Sequence, residues 1–552
     1  ESLKDITLGT KEKDRAKNMF VLGFLYWLYN RDMKNTIQFL EEKFGKRPEI
    51  FESNTKALQA GYNYADTVEL FSTRYKVEKA QQAKGVYRSI TGNVALTYGL
   101  VAAAKQAQLP LFLGTYPITP ASDILHELAK LKNFNIRTFQ AEDEIAGISA
   151  AIGASYGGSI GVTSTSGPGM ALKTEAMGLA VMLEIPLVII NVQRGGPSTG
   201  LPTKTEQSDL LQAYYGRNGE CPMPIIASNS PSDCFDAAFE AVRIAIEHMT
   251  PVILLSDGYV ANGAEPWRFP QTKDLKNINV VFKKELTADE EKFLPYKRDE
   301  KLTRPWALPG TPGLEHRIGG IEKEDITGNI SYDPDNHQHM VKTREAKVNA
   351  IADYIPLQTL ESGPEKGDVL VLGWGSTKGS IKSAVSTLQA QGYSVAHAHI
   401  KYVRPFPKNL ATLLLANGQA HKYKGTIETI ESEFDKNTGT ISFRAKFPNP
   451  TFLLKHGETG RVQLSLSLNN AIIIPQKSTY ELQDKTYVFV VDQNNVVKSR
   501  LITIKQKLPN IYVIESGLAP TDKIIYEGVQ SAKEDEKINI TTISAKEALS
   551  IK

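Results

Sequence analysis

The chain has 552 residues, 41% hydrophobic and 23% charged, and 64 basic against 61 acidic side chains give a net charge of +3. That length exceeds what one core serves, so roughly three to four soluble globular domains are expected. The near-balance of charge gives no argument for a nucleic-acid partner, and two cysteines, Cys221 and Cys234, cannot supply the roughly four thiolates of a cubane iron–sulfur cluster. Both read as buried, reduced thiols.

The chain opens at Glu1 without a methionine, which reads as a fragment or a processed product. Residues 1–80 pattern as helices near 15–29, 33–44 and 53–70. The apolar run from Met19 to Tyr29 is eleven residues long. A membrane span needs about twenty, so the run is expected to be a buried helix. Polar residues 81–92 read as a linker. From about 93, strand candidates alternate with helical stretches. The strands are Leu111–Gly114, Ile136–Gln140, Ile160–Thr163, Pro186–Val192, Pro224–Ala227 and Val252–Ser256, with helices near 142–156, 169–183, 206–214 and 231–248. This predicts an α/β domain over 93–262 with a doubly wound parallel sheet, whose ligands sit beyond the carboxyl ends of its strands. Residues 263–350, rich in proline, glycine and charge, read as an irregular connector. A second open α/β sheet unit follows over 351–412, with strands near 368–373 and 393–400 around a helix near 378–391. Over 413–552 helices give way to short alternating strands near 440–447, 461–468, 471–480, 487–492, 496–504 and 511–515. Asn494-Asn495 is the hairpin-turn candidate.

Four segments follow strands directly and so converge on one sheet edge. Tyr116-Pro117-Ile118-Thr119-Pro120-Ala121-Ser122 brackets Thr119 with prolines, so its hydroxyl projects from a rigid turn. It is either a substrate contact or a helix cap, a role that Ser122 and Asp123 suit better. Gln140-Ala141-Glu142-Asp143-Glu144-Ile145-Ala146-Gly147 puts Glu142 at a strand-to-helix junction, where an acidic residue also favours a helix N-terminus. Gln193-Arg194-Gly195-Gly196-Pro197-Ser198-Thr199-Gly200 offers a guanidinium fork for a carboxylate, beside glycines that allow close approach; a surface salt bridge is the alternative for Arg194. Thr163-Ser164-Thr165-Ser166-Gly167-Pro168-Gly169 is either an anion-binding helix start or a structural tight turn.

Jointly these motifs resemble the alpha subunit of 2-oxoacid:ferredoxin oxidoreductases of the 2-oxoglutarate type, from about residue 14 to about 410. Lys17-Asn18-Met19-Phe20 resembles the end of the gamma-type domain that many members fuse ahead of alpha, so 1–80 would be its helical remnant. Residues 305–320 and 328–341, with His316, Arg317 and His337, resemble the family's connector, and Arg404-Pro405-Phe406-Pro407 the end of its transketolase-C-terminal-like domain. The resemblance implies thiamine diphosphate as cofactor, with Glu142 activating its aminopyrimidine and Tyr116 and Pro117 in the turn beside it. It implies Thr119 and Arg194 as contacts of the 2-oxoacid, so Glu142, Thr119 and Arg194 are the catalytic candidates. The apolar neighbours Ile145, Ala146 and Ile148 are expected to keep water from Glu142. A beta subunit would bring the diphosphate site, Mg2+ and the [4Fe-4S] clusters; coenzyme A would be co-substrate and ferredoxin the acceptor. Alone, the chain is expected not to turn over. No metal ligands are assigned to it, since Ser256-Asp257-Gly258-Tyr259 lacks the first glycine of a Gly-Asp-Gly motif.

The tail resembles something else. Gly425-Thr426-Ile427, Asp435-Lys436-Asn437-Thr438-Gly439-Thr440, Phe447-Pro448-Asn449-Pro450, Ile472-Ile473-Ile474-Pro475 and Glu515-Ser516-Gly517-Leu518 resemble the β-barrel and membrane-proximal domains of periplasmic adaptor (membrane-fusion) proteins of RND efflux pumps. That implies an inner-membrane transporter and an outer-membrane channel as partners, and a structural role as the alternative to the enzyme. The first 412 residues imply a cytoplasmic setting and the tail a periplasmic one, so the chain reads as a chimera. The second sheet unit is then short of an edge and the barrel of its first strands.

Overall fold

The computed structural model describes residues 2–68, 73–78, 80, 82–288, 290–364 and 367–407, and beyond them 410–415, 419, 425–434, 441–447, 449, 453–457, 459–464, 472–482, 485–508, 510–544 and 547–548. Residues 1–85 form one compact unit and 86–552 another. The first unit carries helices Thr10–Arg15, Lys17–Leu28, Lys34–Phe44 and Pro48–Val68. The second and fourth cross through glycines. A Cβ on Gly23 would overlap the Leu58 carbonyl, and one on Gly61 that of Phe20. The apolar run is buried on one face only. Gly23 and Trp27 face inward, while Val21 and Leu25 stay exposed.

The second unit is built on a seven-stranded sheet. Its strands run, from one edge, Tyr402–Arg404, Ile225–Ala227, Pro251–Asp257, Leu187–Gln193, Ile160–Thr165, Leu111–Thr115 and Ile136–Gln140. All are parallel except the first. The three central strands, from Pro251–Asp257 to Ile160–Thr165, are buried along their whole length, as a parallel sheet covered on both faces requires. Val188, Ile190 and Val192 pack against helices Gly92–Ala107 and Asp233–Glu247. Leu187 and Ile189 point the other way, onto helices Glu144–Tyr156 and Thr174–Leu183. The doubly wound expectation therefore holds, strand by strand. Cys234 is buried in the first of these cores, and burial pushes its thiol up to about 12; Cys221 is half-buried.

Three stretches differ from the sequence reading. The expected linker ends in a strand, Tyr87–Thr91, paired antiparallel with Ala264–Arg268 because Ile90 enters the core. The expected irregular connector contains a 17-residue helix, Pro334–Ala350, started by the Asp333 carboxylate accepting from the Asn336 amide at 2.7 Å. That helix shows no apolar stripe because charged side chains, Arg344 and Lys347 among them, face inward. Finally, the second sheet keeps three strands, in the order Leu360–Ser362, Val395–Ile400, Val369–Trp374. The Arg404-Pro405 run does not close it. Tyr402–Arg404 instead joins the edge of the large sheet, where the Tyr402 hydroxyl donates to Glu240 Oε1 at 2.9 Å.

The tail is all β. Strands Leu410–Leu415, Gly425–Phe434, Ile441–Lys446 and Gly460–Leu464 make one antiparallel sheet. Beyond that sheet, Ile474, Val488, Val490, Ile502, Tyr512 and Ile514 form a second core. The hairpin expected at Asn494-Asn495 joins Lys485–Val491 to Val497–Leu501, with Asn495 at φ 62°. Residues 416–418, 420–424, 435–440 and 465–471, with Pro448 and Pro450, lie outside the described residues, and with them parts of the expected junction and strands. Among the described residues no helix is long and apolar enough to cross a membrane.

Candidate active site

All four strand-end loops do reach the carboxyl edge of the large sheet. The strand Leu111–Thr115 delivers Tyr116, which is buried and whose hydroxyl lies 3.1 Å from Thr165 Oγ1 on the neighbouring strand. Burial pushes that phenol up. Pro117 and Thr119 sit beside it, Pro117 exposed and Thr119 on the same turn. Thr119 does not cap the next helix. Nor does Ser122 or Asp123, since the N-cap is Ala121 and no side chain caps the helix; the Ser122 hydroxyl accepts from the Ile118 amide at 2.9 Å, and the Thr119 hydroxyl has no partner among the described residues.

Arg194 stands 75 positions further on and meets this loop directly. Its side chain is buried. Nη1 donates to the Thr119 carbonyl at 2.5 Å and Nη2 to that of Thr199 at 2.9 Å. The fork expected to be open is thus engaged by backbone, tying the two loops together, while Nε has no partner. Thr119 and Arg194 are brought together, and a surface salt bridge is not what Arg194 makes.

Glu142 lies on the adjacent strand end, where the Ala141 amide donates to the Thr115 carbonyl at 2.7 Å. Asp143 caps the helix that follows, accepting from the Ala146 amide at 2.8 Å, and Glu144 is buried in its first turn. Glu142 itself is exposed. The apolar shield expected for it is absent. Ile145 is 49% exposed and Ala146 is exposed too, because this helix buries the face of Gly147, Ile148, Ala151 and Ile152 and turns 142, 145 and 146 away.

The fourth loop is filled from within. A Cβ on Gly167 would lie 3.2 Å from both carboxylate oxygens of Asp209, which is buried and accepts from Asn191 Nδ2 at 2.9 Å. Burial raises the Asp209 carboxyl. Of the two readings of this loop, the structural turn is the one that fits.

Lys173 and Asp209 are the site residues that sequence reasoning missed. Lys173 is fully buried, its Nζ donating to Thr163 Oγ1 at 2.6 Å and lying 5.6 Å from the centre of the Tyr116 ring; burial lowers it to about 7. A lone lysine inside the apolar run Met170–Leu183 was the available signal. Gly169 completes this floor, since a Cβ there would overlap Thr165 Oγ1 and the Tyr116 hydroxyl. Gly169→Ala is expected to cost about 1–3 kcal/mol of unfolding free energy by urea titration. An unchanged midpoint would show that the floor yields.

The donor set suits one side of thiamine diphosphate. A free carboxylate and a free hydroxyl lie at the open edge, as an aminopyrimidine and a 2-oxoacid need. In Ser256-Asp257-Gly258-Tyr259 one oxygen of the buried Asp257 carboxylate, Oδ1, caps the helix that follows, accepting from the Tyr259 and Val260 amides at 2.8 and 3.1 Å.

Comparison with known proteins agrees. Residues 102–332 match the thiamine-diphosphate-binding domain of pyruvate flavodoxin/ferredoxin oxidoreductases, and residues 3–64 match a second domain of those enzymes. The 2-oxoglutarate synthase subunit KorA of Methanothermobacter marburgensis is 32% identical over 320 residues, 58% of this chain and 82% of that protein. The chain belongs to the 2-oxoacid:ferredoxin oxidoreductase family. Within that family, the 2-oxoglutarate oxidoreductase subunit KorA of Mycobacterium tuberculosis is 56% identical over 410 residues, covering 74% of this chain and 62% of that protein. A solved 2-oxoglutarate:ferredoxin oxidoreductase from Magnetococcus marinus, with 2-oxoglutarate, coenzyme A and succinyl-CoA bound, superposes with TM-score 0.65 at 34% identity over 72% of this chain and 68% of that one. The chain spans less than two thirds of two of these oxidoreductase relatives, 62% of the Mycobacterium protein and 65% of an Aeropyrum pernix alpha subunit. The tail matches the β-barrel domain of RND membrane-fusion proteins over 388–468 and their C-terminal permuted SH3 domain over 470–531. The barrel match overlaps Val395–Ile400, yet that strand pairs parallel with Val369–Trp374 and so belongs to the oxidoreductase part.

Proposed function

We propose that residues up to about 410 act as the alpha half of a thiamine-diphosphate-dependent 2-oxoacid:ferredoxin oxidoreductase, with 2-oxoglutarate as substrate and coenzyme A as acyl acceptor. The observation that carries this reading is the convergence of Thr119, Glu142 and Arg194, from three separate strand ends, on one open edge in a chain of this family. Thiamine diphosphate, when bound, supplies the carbon nucleophile that decarboxylates a 2-oxoacid. Glu142 would hold the proton shared with N1′ of its aminopyrimidine, beside Tyr116 and Pro117. The Thr119 hydroxyl would hydrogen-bond the 2-oxoacid and fix its orientation. Arg194 would act twice, tying the Thr119 loop to its own through the carbonyls of Thr119 and Thr199 and lending its positive charge to the substrate carboxylate. A beta subunit would cover Glu142 and bring Mg2+, the diphosphate site and the [4Fe-4S] clusters, in a reducing cytoplasm with ferredoxin as acceptor.

The test is reconstitution with a beta subunit of the family, measuring ferredoxin reduction that depends on 2-oxoglutarate and coenzyme A. Turnover is expected from the pair and not from either part. No thiamine-dependent turnover by the pair would overturn the reading. The tail carries a second one, an efflux-adaptor module fused to an enzyme fragment, on its two domain matches. Co-purification decides between partners: a cluster-bearing beta subunit supports the enzyme, an inner-membrane transporter the adaptor. Tryptic peptide 409–422, which spans the junction, should be found by mass spectrometry in any chain that joins the two parts covalently.

A further inference from the structure

The connector brings more buried positive charge than carboxylate to the amino-terminal edge of the large sheet. Around the fully buried Tyr296 ring lie Arg298, Arg304 and Lys323, at 5.7, 5.2 and 5.4 Å from its centre. Arg298 is answered by Glu184 and Asp325, each at 2.5 Å. The other two have no carboxylate within ion-pair distance among the described residues. Lys323 donates to the carbonyls of Gly319 and Ile321, and Arg304 donates through Nε to that of Pro295, leaving Nη2 without a partner. A buried guanidinium with no anion beside it is costly, and a guanidinium does not escape the cost by losing its proton.

Arg304 also lines a cavity of about 540 Å³, together with Lys297, Lys301, Thr303 and Trp306. Three carboxylates reach the same wall, but each is already engaged. Glu247 holds Arg243 at 2.7 Å, Glu290 holds Lys283 at 2.5 Å, and Asp299 accepts from the amides of Lys301 and Thr303. Lys297 is half-exposed and only 3.8 Å from Glu290, and Lys301 rests 4.7 Å over the Tyr354 ring. The wall is therefore rich in cations that lack a full counter-charge. Met249, which also lines it, sits between helix Asp233–Glu247 and strand Pro251–Asp257, so the cavity opens at the end of the sheet opposite Thr119, Glu142 and Arg194.

We propose that this cavity binds a small polyanion carrying two or more phosphate or carboxylate groups, at a site separate from the carboxyl edge of the sheet. Its volume lies in the range of ordinary small-molecule sites. Guanidinium and ammonium groups suit phosphate and carboxylate oxygens alike, and Lys297 and Lys301 stand on the cavity wall to meet them, with the buried charge of Arg304 behind.

Calorimetric titration of the full chain with inorganic tripolyphosphate, and separately with citrate, tests this. Saturable binding of at least one, weakening as salt is raised, is expected. Binding of tripolyphosphate alone assigns a phosphate ligand, and of citrate alone a polycarboxylate. The double variant Lys297→Glu/Lys301→Glu, at side chains outside the core, is expected to keep its circular dichroism spectrum and lose at least about tenfold in affinity. Arg194→Gln, at the opposite edge, is expected to bind as the parent does. No binding up to about 10 mM overturns the proposal, as does binding that Arg194→Gln removes and the lysine variant keeps.

Discussion

Replacing Glu142 with glutamine is expected to lower 2-oxoglutarate-dependent ferredoxin reduction by the reconstituted pair about 10²–10⁴-fold, the size of a general acid–base contribution. The fold should not register the change. Glu142 is exposed, and among the described residues nothing accepts from it, donates to it or pairs with it. Its neighbours do the structural work. Asp143 caps the helix and Glu144 is buried in the first turn, so Asp143→Ala is the contrasting variant, expected to cost about 1 kcal/mol of stability through the lost cap. The two substitutions, one position apart, should therefore separate cleanly. Glu142→Gln should lose turnover with an unchanged melting temperature and unchanged association with the beta subunit. Near-parental turnover in Glu142→Gln would sink the catalytic assignment, and loss of turnover together with the beta subunit would move Glu142 from chemistry to assembly.

Which parts of this site could be read from sequence depends on where each interaction is made. The central strands Leu187–Gln193 and Pro251–Asp257 were legible because they are covered on both faces and so appear as long apolar runs. The edge strand Ile136–Gln140 is mostly exposed and has no such run, yet its bounds agree to the residue, and the position of the loop carrying Glu142 comes directly from that. The exposure of Glu142 was not legible. Ile145 and Ala146 are apolar and close to it in sequence, but helix geometry turns them outward, away from the core that Gly147, Ile148, Ala151 and Ile152 enter. The engagement of Arg194 was hidden for a similar reason, its carbonyl partner at Thr119 lying on another strand's loop. Helix Pro334–Ala350 escaped because its inward face is charged, and an inward charge leaves no apolar period to count. The tail's hairpins were easier, since alternation and a turn residue such as Asn495 are local signals.

That inward charge sets up the largest stability effect expected of this chain. Glu184 is 1% exposed and lies in the turn after helix Thr174–Leu183. It receives Arg298 at 2.5 Å and Lys347 at 2.6 Å, and so pins the connector and its helix to the amino-terminal edge of the sheet. Burial alone would raise its carboxyl, but Lys347 and Arg298 outweigh burial and hold it at about 2. Lys347 is pulled the other way. Burial lowers it despite Glu184, so the group is no free gain in stability, and its cost appears when one member is removed. Glu184→Gln keeps the shape and deletes the charge, leaving two buried cations with a neutral amide. A loss of about 3–5 kcal/mol at pH 7 is expected, read from the midpoint of urea unfolding. The pH dependence supplies the sign. A carboxyl held below its ordinary 4.5 contributes fully above that value and loses its contribution as pH falls toward about 2. The gap between parent and variant should therefore be widest at neutral pH and shrink between about pH 4.5 and 2. A gap that stays constant through that window would mean that the glutamine is felt as a packing fault, and that the charge of Glu184 does not hold the connector in place.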